Sequence, residues 1–365
     1  MTTKFATSLL LLLATAALHS QSQNDISRRL TAPGTNAQNA AGKTGSPSFE
    51  ILHLEGTVTL PSKTTTFSVL DYLTIYQNTL YVAGMSTGTM GIVPLESVQL
   101  SNSRTDAHAG EIAGLKGAHG FAIVPDLHLG FATAGGDNVV AVVDLETRVV
   151  VDRIKVAAGP DAILYDAASG LIYVGNADAK LATLIDPKTR KIVTTILLGG
   201  STEFAAVDPQ SGLLYQNLED TNELVVIDLS KRAVVDRWRL GACTKPTGLA
   251  IDGNSRRIFV GCSGNATLSV LNMDTHKSVA TLPIGKWPDS VAYDVSLHRI
   301  YTTGLRGKLV VTEQQTADKY TTLKEISTHF GAHTLAIDPV THRVYLACVG
   351  VFGKPKVAVY SVPGA

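Results

Sequence analysis

The sequence predicts an all-β chain, a seven-bladed β-propeller of four-stranded antiparallel blades whose ring is closed by an N-terminal strand completing the last blade. Three observations carry this expectation. An aromatic residue recurs as Tyr81, Phe131, Tyr173, Tyr215, Phe259, Tyr301 and Tyr345, at steps of 50, 42, 42, 44, 42 and 44 residues. Thirteen positions after it, in five copies, stands Pro94, Asp144, Asp186, Asp228 or Asn272, residues suited to ending a strand in a turn. The last copy stops after its third strand, Lys356–Ser361, whereas a spare strand at 49–56 stands ahead of the first copy. A sheet of this size cannot bury its own faces, so it needs neighbouring copies. Lending the first strand to the last copy removes both open edges.

In chain order, residues 1–20 read as a signal peptide. Lys4 supplies the positive start, and the apolar run Phe5–Ala17 is too short to span a bilayer. No cysteine lies near the expected cleavage region between Ala17 and Gln23, which argues against a lipid anchor. Residues 21–48 are rich in Gln, Asn, Ala, Thr and Gly without periodicity, as in a disordered linker. Residues 49–365 are expected to form the ring, as a monomer in the periplasm or secreted, and no later stretch is apolar enough for a transmembrane helix.

The third repeat shows the unit most clearly. Ala162–Tyr165 is apolar, Asp166–Gly170 a turn, Leu171–Gly175 β-branched and aromatic, Leu181–Ile185 apolar and closed by Asp186-Pro187, and 191–198 alternates. Two units depart from the pattern. The first carries an insertion around Leu95–Ala109, and the sixth ends its third strand at Val310-Val311-Thr312 without the Asp.

Composition narrows the function classes. The chain carries 31 basic and 31 acidic residues. Four basic and one acidic lie before residue 49, leaving 27 and 30 in the ring. Such a balance gives no electrostatic footprint for nucleic acid or an anionic membrane. Of three cysteines, Cys243 precedes the first strand of the fifth unit and Cys262 ends its second strand. These positions are compatible with a disulfide in an oxidising compartment or with two buried thiols, and Cys348 reads as a buried thiol. No Cys pair has metal or haem spacing, and no nucleophile elbow, phosphate-cradling loop or HExxH is present.

In a propeller the first strand of each blade lines the channel, and the loop entering it opens on the channel mouth. Twelve residues before the landmark aromatic stand His119, Asp161, Glu203, Thr247, Asp289 and His333, with Asp71 matching them in the first unit, where the turn is two residues shorter. Seven polar residues around one opening with apolar flanks describe a ligand site. His333, Asp71 and His119, on consecutive blades, could hold zinc or a similar divalent metal. Asp161, Glu203 and Asp289 could instead form an acidic mouth for a cationic or polyhydroxylated ligand. Asn217 and Glu219, between the second and third strands of the fourth unit, could reach the mouth beside Glu203. The competing reading is that each Asp or Thr only caps a turn.

The segments Tyr173-Val174-Gly175-Asn176, Tyr81-Val82-Ala83-Gly84 and Phe259-Val260-Gly261-Cys262, with Ala206-Val207-Asp208-Pro209 and Ala336-Ile337-Asp338-Pro339, resemble the YVTN-repeat (YncE-like) β-propellers. GAHGFAIVP from Gly117, GPDAILYDAASG from Gly159 and PTGLAID from Pro246 are similar to an exported bacterial branch of them. The resemblance spans about residues 50–365 and implies a seven-bladed ring, usually exported and generally without assigned chemistry. Members and relatives include binding proteins, some reported to bind DNA, and lactone-hydrolysing enzymes on a similar ring. The sequence therefore points first to an exported propeller that binds a small molecule or protein at its channel mouth, without a catalytic signature. The alternative is a metal-assisted, lactonase-like hydrolase using the His/Asp ring, and the weakest reading is binding of single-stranded DNA.

Overall fold

Seven four-stranded antiparallel sheets follow one another around a ring in a computed structural model, which describes residues 50–62, 67–97, 110–351 and 354–365. Residues 51–365 form one compact unit. The expected leader and linker lie outside the described residues, as does most of the insertion in blade 1. Among the described residues, no helix is long and apolar enough to cross a membrane.

Blade 3 shows the plan: Pro160–Asp166, Leu171–Asn176, Leu181–Asp186 and Lys191–Leu197 pair in sequence order. The landmark aromatics all face the interior: Phe131, Tyr173, Phe259 and Tyr301 are fully buried, Tyr345, Tyr215 and Tyr81 nearly so. Each occupies a core shared between blades. One seam packs Tyr215, Leu224 and Trp238 of blade 4 against Leu249, Ile258 and Val260 of blade 5. The recurring Asp also has a physical reason. The side chains of Asp144, Asp186, Asp228 and Asn272 accept the backbone N–H three residues on. The chain then turns through Arg148, Arg190, Arg232 or His276 at φ between 57° and 61°.

Blade 6 departs from this plan as its sequence suggested, but differently from expectation. Its third strand does not stop at Thr312; with no Asp to turn the chain there it continues as Lys308–Thr316 and returns as Lys319–Ser327. The long hairpin reaches blade 5, where Arg257, 6% exposed, binds Asp318 and the Ala317 carbonyl at its tip.

The ring closes through the N-terminal strand, which runs His53–Thr59, a few residues later than expected, and pairs antiparallel with Lys356–Ser361. Blade 7 is thus built from Leu335–Ile337, Val344–Cys348, Lys356–Ser361 and His53–Thr59. A short pair, Phe67–Ser68 with Gly350–Val351, ties the entry of blade 1 to blade 7. Cys243 and Cys262 form a disulfide with S–S 2.00 Å, and Cys348 is a buried thiol whose surroundings push its pKa up to about 11.

First strands of successive blades pack against each other all round the ring, and polar side chains lock every seam. Thr74 donates to the Phe121 carbonyl, Thr133 to Asp161, Asn217 to Thr247, Thr247 to Pro288, Thr303 to His333 and Thr334 to Asp71. At the seam between blades 3 and 4, the Tyr173 hydroxyl donates to Gln216 at 2.9 Å. Each link satisfies a polar group that the ring would otherwise bury unpaired.

Candidate ligand site at the channel mouth

The loops entering the first strands set the mouth residues just before the chain turns down into the channel. At five of these positions the backbone is left-handed two residues earlier, and glycine supplies that φ at Gly117, Gly159 and Gly331 but Lys245 in blade 5. Trp287 takes the same conformation in blade 6. It is half-buried with the Arg306 guanidinium 4.3 Å from its ring centre, so one face of this aromatic is already covered.

Six of the seven mouth residues, all but Thr247, make one electrostatic group. His119 Nδ1 lies 2.6 Å from Asp71 Oδ2 and 3.4 Å from Asp161 Oδ1. His333 Nε2 stands 4.0 Å from Asp289 Oδ2, while its Nδ1 is bonded to the Gly331 carbonyl at 2.7 Å. Asp71, His119 and Asp161 can place one donor atom each within 4.8 Å of one another. His333, expected in that set, is instead turned towards Asp289. Glu203 joins through its charge: the Asp161, Asp289, Glu219 and Asp71 carboxylates all act on it.

The titrations follow from burial among like charges. Burial first, then Asp161, Asp289, Glu219 and Asp71, hold the Glu203 carboxyl well above its ordinary range. Burial raises Asp161 to about 7, with His119 opposing and Asp71, Asp289 and Asp178 adding to the rise. Burial likewise raises Asp289 to about 6 against the pull of His333. For His119 burial works against the charged ring, but the Asp71 hydrogen bond and the Asp161 and Asp71 charges outweigh it and raise the imidazole to about 9. The mouth therefore holds protons that isolated carboxylates would release.

The structure adds Tyr72, which the sequence reading passed over. Its ring meets Phe204 with centroids 4.3 Å apart and planes at 30°. Blades 1 and 4 are three places apart in a ring of seven, so this contact crosses the channel and gives the mouth an aromatic floor. The Tyr72 hydroxyl is shut off from solvent and has no hydrogen-bond partner, and burial followed by the charges of Asp161, Glu203, Asp71 and Asp289 raises its pKa well above the ordinary value. A signal was present in the sequence. At the positions following the mouth residues stand Tyr72, Gly120, Ala162, Phe204, Gly248, Ser290 and Thr334, and only two of these are large.

Two expected ligand residues are occupied elsewhere. Asn217 is fully buried and its amide donates to Thr247 and Gly248 carbonyls. Thr247, 5% exposed, gives its hydroxyl proton to Pro288. The two-residue offset from Asn217 to Glu219 does not bring both to the mouth. Glu219 pairs with Lys245 at 3.6 Å and acts on Glu203 and Asp289 through its charge.

No model of a known protein family matches this sequence, and no curated protein matches it. Among solved structures, a chain of hydrazine synthase from Kuenenia stuttgartiensis is similar at TM-score 0.64 and 16% identity, covering 78% of this chain and 94% of that one. A chain from the crystal structure of the mitotic checkpoint complex is similar at TM-score 0.69 and 14% identity, covering 91% of this chain and 98% of that one. At such identities the likeness is one of fold, and what it establishes for this chain is the β-propeller.

Proposed function

We propose that this chain is an exported ligand-binding propeller of the YVTN-repeat (YncE-like) kind, and that its ligand is a small cationic molecule received by the channel mouth. The observation that carries the reading is the imbalance of charge there. Asp71, Asp161, Glu203 and Asp289 share one opening, and among the leading causes acting on Asp161 and Asp289 within the described residues, the imidazoles His119 and His333 are what lower their pKa. For Glu203, every charge named acts to raise it. A bound cation relieves that repulsion and lets the carboxylates ionise. The Tyr72–Phe204 floor offers ring surface to an organic ammonium group. Export is supported by the leader-like start of the sequence and is compatible with the disulfide.

Calorimetric titration with a panel of primary and quaternary ammonium compounds tests this. At least one should bind at micromolar to low millimolar Kd, and Glu203→Gln with Asp289→Asn should weaken it at least about tenfold, a loss of ~1.4 kcal/mol. Binding unchanged by the double substitution, or no binding by any member of the panel, would overturn the reading.

A further inference from the structure

Within the mouth, one corner is built differently from the rest. His119 Nδ1 faces two carboxylates at once, at 2.6 Å and 3.4 Å, and a single ring N–H can satisfy only one. The other, Asp161, shares that one N–H at the longer distance, and its side chain is 19% exposed at the mouth. The Tyr72 hydroxyl, buried beside these groups, is also unpartnered. A set in which one N–H serves two carboxylates and a buried hydroxyl is left over is an incomplete polar network, which is costly unless something else completes it.

The same corner is held rigidly. The Thr334 hydroxyl bonds the Asp71 carbonyl at 2.7 Å and the Thr133 hydroxyl bonds the Asp161 carbonyl at 2.8 Å. These two seam links fix both carboxylate-bearing backbones. The imidazole is seated against Gly135, where an added Cβ would stand 3.1 Å from Nε2, so the ring occupies space that glycine leaves open. Side chains positioned by a supporting shell of this kind are what a coordination site needs.

We infer that Asp71, His119 and Asp161 form a binding site for one divalent transition-metal ion of the zinc type, with a fourth coordination position open towards the channel mouth. The inference rests on the reading of the mouth as a cation site and names the ion that its tightest corner takes. Metal–ligand bonds of about 2.0–2.1 Å in tetrahedral geometry separate neighbouring donor atoms by about 3.4 Å. The His119–Asp161 pair already has that spacing, and the three donors fall within 4.8 Å. Asp71, at 2.6 Å from His119 Nδ1, has to withdraw from that nitrogen by less than ~1 Å to reach the same spacing to it. One imidazole and two carboxylates are borderline-to-hard donors suited to Zn²⁺, Co²⁺ or Mn²⁺ rather than to a soft ion such as Cu⁺. As the ion arrives, the proton shared by His119 and Asp71 leaves to solvent, and His119 coordinates through Nδ1. The pairing differs from the expected His333, Asp71 and His119 set, because His333 Nε2 points to Asp289.

The test uses the full chain. Zn²⁺ retained after desalting is measured by elemental analysis, and Co²⁺ binding is followed by its visible spectrum. The expected result is one ion per chain, with His119→Gln and Asp161→Asn each weakening binding at least about tenfold. A second measurement does not depend on how the variants fold. In ¹⁵N-labelled wild-type protein, Zn²⁺ should shift the ring nitrogens of His119. An absence of stoichiometric Zn²⁺ and Co²⁺ binding, or binding that leaves the His119 nitrogens unmoved, overturns the inference. If ammonium compounds still bind through Glu203 and Asp289 in that case, the broader reading stands and only the metal site falls.

Discussion

Glu203 is the residue on which the mouth's physics is easiest to isolate. It has no ion pair or side-chain hydrogen bond among the described residues, and everything acting on it raises its pKa: burial first, then the charges of Asp161, Asp289, Glu219 and Asp71. The sign of its effect on stability follows. The unfolded chain gives up this proton near the ordinary value, and the folded one holds it longer. Its contribution is therefore fully present below the ordinary value and is lost as pH rises through the folded value. Asp161, at about 7, and Asp289, at about 6, act in the same direction from pH ~4 upward. His119 continues it, since its imidazole is raised from 6.5 to about 9 and its stabilisation fades across that interval. In the absence of ligand the protein should thus lose stability between pH 5 and pH 8. Glu203→Gln should remove part of the loss, stabilising by on the order of 1–2 kcal/mol at pH 8 and by little at pH 4.5. Thermal melts of both proteins at the two pH values decide it. A variant less stable than wild type at pH 8 would show that Glu203 is held by a favourable partner.

At the scale of elements, the seams matter more than the blades. Thr133 shows why. Its hydroxyl accepts the Gly120 N–H at 2.8 Å and donates to the Asp161 carbonyl at 2.8 Å, so one buried oxygen joins the first strands of blades 2 and 3. Thr133→Val keeps the shape and removes both bonds, leaving a backbone donor and an acceptor unpaired. The expected cost is about 2–4 kcal/mol in urea unfolding. Val151→Thr, on the exposed outer strand of the same blade where Val151 is 48% exposed, should change stability by no more than about 0.5 kcal/mol. A Thr133→Val cost as small as that of Val151→Thr would mean that the seam bond contributes nothing net. The seams also show what could be read in advance. The recurring aromatic and the recurring Asp are local necessities of every blade, packing and turning, so they repeat and the period discloses them. Thr133, Asn217 and Thr303 each stand two residues after the landmark aromatic and reach the next blade's mouth carbonyl, whereas Thr247 and Thr334 serve the same purpose from the first strand, because each need only reach its neighbour's carbonyl. For the same reason Asn217 and Thr247 resemble ligand groups in the sequence. The polar mouth was legible from variation at one register. The Tyr72–Phe204 contact was legible only as two large residues at the next register, because which side chains meet across the axis is decided when the ring closes.

For the whole molecule, closure of the ring is the decisive contact, and it depends on the strand that begins the described chain. His53–Thr59 pairs with Lys356–Ser361 along its length. Val58, 1% exposed, enters the core that blade 7 shares with blade 1, beside Leu70, Leu80, Tyr345 and Val359. Glu55 pairs with Arg343 at 3.0 Å, and the Leu60 N–H donates to the Pro355 carbonyl at 2.9 Å. A chain beginning at residue 61 keeps six complete blades but leaves Lys356–Ser361 as an open edge beside uncovered apolar side chains. An open edge of that kind pairs with other chains, whereas a closed ring has none. The truncated chain should melt at least about 10 °C lower and associate on gel filtration at micromolar concentration. A synthetic peptide of residues 51–62 added in excess should restore both properties, because it supplies the missing strand by edge pairing and its stabilisation grows with peptide concentration as RT ln(1 + [L]/Kd). Rescue by the peptide separates a missing strand from general damage. A truncated chain that stays monomeric with the full-length Tm would mean that six blades and three strands hold the ring without closure.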